Sequence, residues 1–192
     1  MNIITVPYNS DFYYIRPDIS LNRDGNDYFC PDSITEIAVA PFIYIRMDKA
    51  GKAISAKFAH RYCSQIGYGL NLTAQSLIKK EYPMSFCTAN SLDNSTYITQ
   101  LYQLEEFPAQ IIIQALETYE LFNKNTEALT KAKVILESGN ENIQELFYKH
   151  IEKITKLSSV RTGDLIILEL CPSQPVPQNN TIEFGSLKFS IK

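Results

Sequence analysis

Two histidines, four cysteines and a scatter of carboxylates are the side chains of this sequence that could do acid–base, nucleophilic or metal chemistry. His60 stands beside Arg61 in a stretch of helical period, where a histidine is expected to be solvated or to cap its helix. His150 falls on an apolar helical stripe and is expected to pack, partly buried. Two imidazoles so far apart disfavour an imidazole-rich metal site and make a catalytic triad hard to assemble. Cys30, Cys63, Cys87 and Cys171 form no CxxC-type pair, which excludes a zinc ribbon and a thioredoxin motif; reduced, mostly packed thiols are expected. There is no glycine-rich phosphate loop, no HExxH and no GxSxG. Asn71-Leu72-Thr73, Asn94-Ser95-Thr96 and Asn179-Asn180-Thr181 match the glycosylation sequon. The opening MNIITVPYNS lacks a basic n-region and a long apolar h-region, so chance matches in a cytoplasmic protein are the expectation.

Composition narrows the classes of partner. The 192 residues suit one domain, which can bury roughly 70% of its unfolded surface. Hydrophobic residues make up 45% and charged residues 20%, a balance that argues against disorder. With a net charge of -3 there is no basic field to hold a phosphate backbone, so nucleic acid is not an expected partner. Apolar runs such as Ile111-Ile112-Ile113 are too short to span a bilayer, so no membrane association is expected. The aromatic residues read as core and interface, because stacking without a basic groove has nothing to hold a strand.

The elements that must position any site read as follows. Ile3–Val6 and Phe12–Arg16 are short strands stopped by Pro7 and Pro17. A turn cluster covers 22–27 and a short extended piece 28–31. Ile34–Met47, rich in Val, Ile, Tyr and Phe, predicts a long central strand. Ser55–Ser64 predicts a helix with Phe58, Ala59 and Tyr62 on one face. Ile66–Asn71 predicts a strand whose Gly67 and Gly69 mark close approach of backbone or ligand, followed by a short helix over 73–80. Tyr97–Thr99 reads as extended and Ile111–Ala115 as a strand; 116–136 is helix-permissive but ambiguous. Ile143–Lys156 is an amphipathic helix, and a strand follows from Gly163 to Leu170. A Pro- and Asn-rich tail ends in a last strand through Phe184 and Phe189. Many strands and few helices make a mixed, β-rich α+β fold.

Seven segments, in order, resemble the fumarylacetoacetate hydrolase family. Tyr14-Ile15-Arg16-Pro17-Asp18-Ile19-Ser20-Leu21 followed by Asp24-Gly25, Phe29 and Pro31-Asp32 is similar to the family's Lys-Pro-x-x-Ser-Leu opening. The long strand, the turn Lys49–Ile54 and Lys57–Tyr62 continue the likeness to bacterial, small single-domain members. Gly69-Leu70-Asn71-Leu72-Thr73-Ala74-Gln75 resembles the family's Gly-x-Asp-x-Thr-Ala-Arg, and Gly163–Ile166 its Gly-Asp strand start. The resemblance implies one domain over 1–192, built as a β-sandwich or roll with a few flanking helices. It also implies a short N-terminal loop between Val6 and Phe12 and an insertion around 114–136.

Members of that family hold Mg²⁺ or Mn²⁺ through carboxylates and act on β-dicarbonyl or 2-oxo acid substrates by stabilising an enolate. Carried across residue by residue, that site is lost. The family's Glu-x-Glu pair falls on Ala40 and Phe42, its third carboxylate on Asn71 and its strand histidine on Ala38. The lysine of its Lys-x-x-Asp segment falls on Thr88 and its arginine on Gln75, and Glu169-Leu170-Cys171-Pro172 replaces its Gly-Thr-Pro. A hard divalent cation needs several oxygen ligands with carboxylate charge, which these positions do not supply. Glu36 shares the strand parity of Ala38, Ala40 and Phe42 and is the one carboxylate expected at that face.

The leading expectation is therefore a protein that has lost its metal-binding carboxylates: a pseudoenzyme with a binding, regulatory or partner-subunit role. It needs no cofactor and forms a homodimer or pairs with an active paralogue. The alternative is a hydrolase, isomerase or decarboxylase of β-dicarbonyl or 2-oxo acid compounds with a remodelled site, which would use Mg²⁺ or Mn²⁺ if ligands came from elsewhere. A remnant pocket would then hold a small 2-oxo acid with Arg16 gripping its carboxylate. Ser20, Asn71, Thr73, Gln75 and Thr88 would make polar contacts, and Glu36 would act as base if burial raised its pKa.

Overall fold

The two longest apolar runs become the two central strands. In the computed structural model, which describes residues 1–22 and 24–192, β4 (Ile37–Arg46) and β5 (Gln65–Ala74) pair antiparallel along nearly their whole length. The remaining strands are β1 (Ile3–Val6), β2 (Tyr14–Arg16), β3 (Leu21–Asn22), β6 (Thr96–Ile98), β7 (Tyr102–Gln103), β8 (Leu165–Glu169), β9 (Gln174–Val176), β10 (Thr181–Phe184) and β11 (Leu187–Ser190). Among the described residues one mixed sheet runs β2-β1-β8-β4-β5-β6-β3, with β9 on β4 and β7 on β5. The β1–β8 and β3–β6 pairs are parallel. β10 and β11 form a separate hairpin. Arg23, inside the turn expected at 22–27, lies outside the described residues.

The helices are α1 (Ser85–Ala89), α2 (Ala109–Thr118), α3 (Glu120–Asn123), α4 (Thr126–Glu137) and α5 (Asn140–Leu157). α5 forms where the 3.6-residue stripe predicts it, burying Ile143, Phe147, Ile151 and Ile154. α4 begins at Asn125, whose side chain accepts from the Ala128 amide at 3.1 Å. No described helix is long and apolar enough to cross a membrane.

Cross-strand partners share a face, so the register divides the sheet into two surfaces. The outer one, with Ile43, Ile45, Ile66, Tyr68, Leu70, Leu72, Ile166 and Leu168, joins the helices in the larger core. The inner one carries Ala38, Ala40, Phe42 and Tyr44 of β4 against Thr73, Asn71, Gly69 and Gly67 of β5. It continues through Glu169 and Ile167 of β8, Thr5 of β1, and Tyr14 and Arg16 of β2.

Pro41 sits in the middle of β4, a position normally closed to proline. Its carbonyl accepts from the Leu170 amide at 2.8 Å, so its missing N–H faces the same flank. On that flank β8 pairs with β4 as far as Phe42↔Glu169, and β9 takes over at Val39↔Gln174. The proline falls in the gap between the two partners, where no ladder donor is needed, and the gap leaves Glu169 at a strand end.

Several expectations are corrected. Ile111–Ala115 lies within α2: its β-branched run reads as a strand, but Ile112, Ile113 and Leu116 bury one helical face. The helix expected over 55–64 is a 3₁₀ segment at Ala56–Arg61 that buries Ala59 and leaves Phe58 exposed. The helix expected over 73–80 is displaced because β5 continues to Ala74; only a 3₁₀ turn, Gln75–Leu77, follows. The ambiguous 116–136 stretch is helical, and the extended piece at 28–31 makes one bridge, Tyr28 to Ile191. The last strand is a hairpin turning at Gly185.

Candidate functional site

The inner face is polar at one end only. Arg16 is fully buried, carried there by β2. Its Nη2 donates to the Leu72 carbonyl and to Ser95 Oγ, both at 2.7 Å, and its Nη1 to Asn90 Oδ1 at 3.1 Å. Nε has no partner. Asn90 Oδ1 also accepts from Thr73 Oγ1 at 2.8 Å and from the Tyr14 hydroxyl at 3.2 Å. Tyr14 stands 3.5 Å from Glu169 Oε1, which the Asn71 amide reaches at 3.2 Å. Asn71 Oδ1 in turn accepts from Thr96 Oγ1 at 3.1 Å, and Thr96 lies 3.4 Å from Ser20 Oγ. A line of hydrogen bonds thus crosses the sheet from Arg16 on β2 to Thr96 on β6.

Tyr14, Thr73, Asn90 and Glu169 open on a cavity of about 200 Å³, walled by Tyr8, Ile78 and Phe86. The Phe86 ring meets Tyr14 edge-on at 4.9 Å. Burial raises the Glu169 carboxyl above the ordinary carboxylate range; the Asn71 amide and the Arg16 charge oppose the shift without cancelling it. Burial, then the Glu169 carboxylate, also pushes the Tyr14 phenol up. Tyr14 is therefore a neutral donor, and Glu169 a carboxyl that can hold a proton.

The other half of the same face is packed solid. Phe42 pairs with Gly69, and a Cβ added at Gly69 would stand 2.5 Å from the Phe42 ring. Gly67 likewise accommodates Tyr44, whose hydroxyl donates to the Thr99 carbonyl at 2.8 Å. The close approach that these glycines permit is to aromatic rings of β4 and, at Gly69, also to the Tyr97 carbonyl of β6.

The positions implied by the resemblance land unequally. Asn71 and Thr73 meet in the polar line and Thr73 lines the cavity. Arg16 is in the line but spends its Nη donors on protein acceptors and does not reach the cavity wall. Ser20 donates to the Pro17 carbonyl at 2.7 Å, closing its turn. Gln75 is half-buried past the end of β5 and does not line the cavity. Thr88 is exposed on α1, and Glu36 is exposed just before β4 begins, where strand parity no longer carries a side chain inward. His60 is exposed, and His150 is half-buried on α5.

Tyr14, Asn90 and Glu169 escape the sequence reading, as do Ser95 and Thr96 of the polar line. Glu169 does leave a signal, being the lone charge in the apolar run Leu165–Leu170. Asn90 leaves none, because its role comes from β2 and β5 arriving beside it.

The donor set at this end does not fit a hard divalent cation. Ala40 and Phe42 contribute no oxygen, Asn71 is bound on both sides, and Glu169 is the single carboxylate. Among the described residues no three histidine, cysteine, aspartate or glutamate side chains gather as a metal group.

No family model matches the sequence, and no curated protein matches it. Solved structures do. A protein from Yersinia pestis assigned to the fumarylacetoacetate hydrolase family superposes with a TM-score of 0.67 at 14% identity, covering 100% of this chain and 92% of that one. The 5-carboxymethyl-2-hydroxymuconate delta-isomerase of Mycobacterium smegmatis gives 0.63 at 10%, covering 99% and 78%. The fumarylpyruvate hydrolase of Pseudomonas aeruginosa, solved with Mn²⁺ and pyruvate, gives 0.58 at 12%, covering 94% and 89%. The chain has the fold of the fumarylacetoacetate hydrolase family.

Proposed function

We propose that this chain is a metal-free descendant of that fold which binds a small carbonyl compound, such as a 2-oxo acid, in a regulatory or partner-subunit role. The observation that carries the reading is a face that presents Ala40, Phe42 and an Asn71 hydrogen-bonded on both sides where the resemblance implies carboxylates, with one protonatable carboxyl, Glu169, at the cavity. Replacing buried charge by packed apolar groups keeps a fold stable while removing its metal chemistry. Tyr14 and Glu169 would donate to a ligand carbonyl. The protein would work in the cytoplasm as a homodimer or beside an active paralogue, with the 114–136 segment as an addition to the shared fold.

Calorimetric titration of chelator-treated protein with Mn²⁺ at physiological ionic strength tests the reading. The expected result is no heat and no change in melting temperature up to millimolar metal, with oxaloacetate or an acylpyruvate raising the melting temperature in its absence. Stoichiometric Mn²⁺ binding at micromolar affinity would overturn it.

A second reading is favoured by the raised Glu169 carboxyl beside Tyr14. Glu169 would move a proton on an enolisable substrate without metal, giving a hydrolase, isomerase or decarboxylase of the kind the structural neighbours are named for. Turnover of an acylpyruvate or oxaloacetate that survives chelation and is lost in Glu169→Gln would select it.

A further inference from the structure

A larger cavity, of about 460 Å³, lies between the outer face of the sheet and α5, within the usual range for small-molecule sites. Its floor is apolar: Ile43 of β4, Leu168 of β8, Ile135 of α4 and Leu146 of α5. Its rim is cationic. Lys149 and Lys153 stand one helical turn apart on α5, with His150 beside them. On a chain of net charge -3 this local excess of positive charge runs against the average. Asp11, from the β1–β2 loop, is bonded to Lys153, while Lys149 enters no ion pair among the described residues. Asn9 and Ser10 of the same loop add polar groups at the mouth. From Glu169, at the boundary with the smaller cavity, the carboxyl turns inward to Asn71.

We propose that this cavity is a second binding site, for a monocarboxylate carried on an apolar body: the tail lies on Ile43, Ile135, Leu146 and Leu168, and the carboxylate is held by Lys149 and Lys153. Charge complementarity selects this occupant. A neutral apolar compound would leave the lysines unused, and a polyanion would find no donors on the floor. Asp11 competes with the ligand for Lys153 and sets the affinity. The site lies on the opposite sheet face from Ala40 and Asn71 and meets the smaller cavity at Pro7 and Glu169.

The probe is octanoate, with octanol as its uncharged counterpart, followed by thermal shift and calorimetry on the full chain at physiological ionic strength. Octanoate should raise the melting temperature in a concentration-dependent way and octanol should do so far less. Lys149→Gln should weaken octanoate about fivefold and Asp11→Asn should tighten it about fivefold, the size of one partly exposed charge contact. Lys188→Gln, on the β10–β11 hairpin away from the cavity, should change nothing. These side chains are solvent-accessible, so the variants should melt like the parent without ligand. Equal shifts by octanol and octanoate, no shift at millimolar octanoate, or unchanged affinity in both Lys149→Gln and Asp11→Asn would overturn the proposal.

Discussion

The same strands build two unlike halves of one sheet face. At one end Phe42 and Tyr44 lie over Gly69 and Gly67 with Ile3, Leu165 and Ile167 around them. At the other, Arg16, Asn90, Tyr14, Glu169, Asn71 and Thr96 are joined by directed hydrogen bonds beside a cavity. The apolar half gains from close packing, which is non-directional and tolerates repacking. The polar half has no such latitude, since every buried donor must find its acceptor or be penalised in full. A buried network next to empty volume is what a binding site requires, and a filled aromatic corner leaves a ligand no room.

Four substitutions probe that contrast. Phe42→Ala should show the largest effect, about 3–5 kcal/mol of lost stability in denaturant unfolding, because it opens a void the glycines cannot fill. A loss under about 1 kcal/mol would mean that the packed half is not what holds β4 on β5. Arg16→Met should lose about 3 kcal/mol, leaving the Leu72 carbonyl, Ser95 and Asn90 short of a donor. Near-neutrality there would show that the network can rearrange like the apolar half.

Tyr14→Phe removes one shared hydroxyl and should lose about 1 kcal/mol in the same measurement. If Tyr14 contacts the ligand, the oxo-acid-induced thermal shift should shrink with it. Glu169→Gln should have the smallest effect on stability, with a sign that depends on pH. Because the folded carboxyl titrates above its unfolded value of about 4.3, the folded state binds more protons in between. Stability is therefore full below the unfolded value and falls as pH rises to the folded one. Glu169→Gln should flatten that decline and melt higher at neutral pH. His150, held below its ordinary value by burial and the Lys153 charge, gives the opposite slope up to about pH 6.5. The contribution of Glu169 is thus read from the difference between parent and variant, and a variant as steep as the parent would place the titration elsewhere.

Legibility in the sequence followed the strength of the local signal. β4 was readable as a long run rich in Val, Ile, Tyr and Phe, and α5 because its apolar residues repeat at the helical period. That Ala38, Ala40 and Phe42 share one face of β4 was readable because strand parity fixes which residues lie together. α2 was misread because three consecutive isoleucines look β-branched whichever element they join. Glu36 was misjudged because parity says nothing about where a strand begins.

By itself the sequence determined the mixed fold, the long strand β4 and the amphipathic helix α5, since these depend on residue type and local period. Tertiary structure alone decided that Asn90 meets Arg16 across 74 residues, that Asn71 meets Glu169 across 98, and that Asp11 meets Lys153 across 142. Those pairings depend on how β2, β8 and α5 arrive at the sheet, and no local preference encodes an arrival.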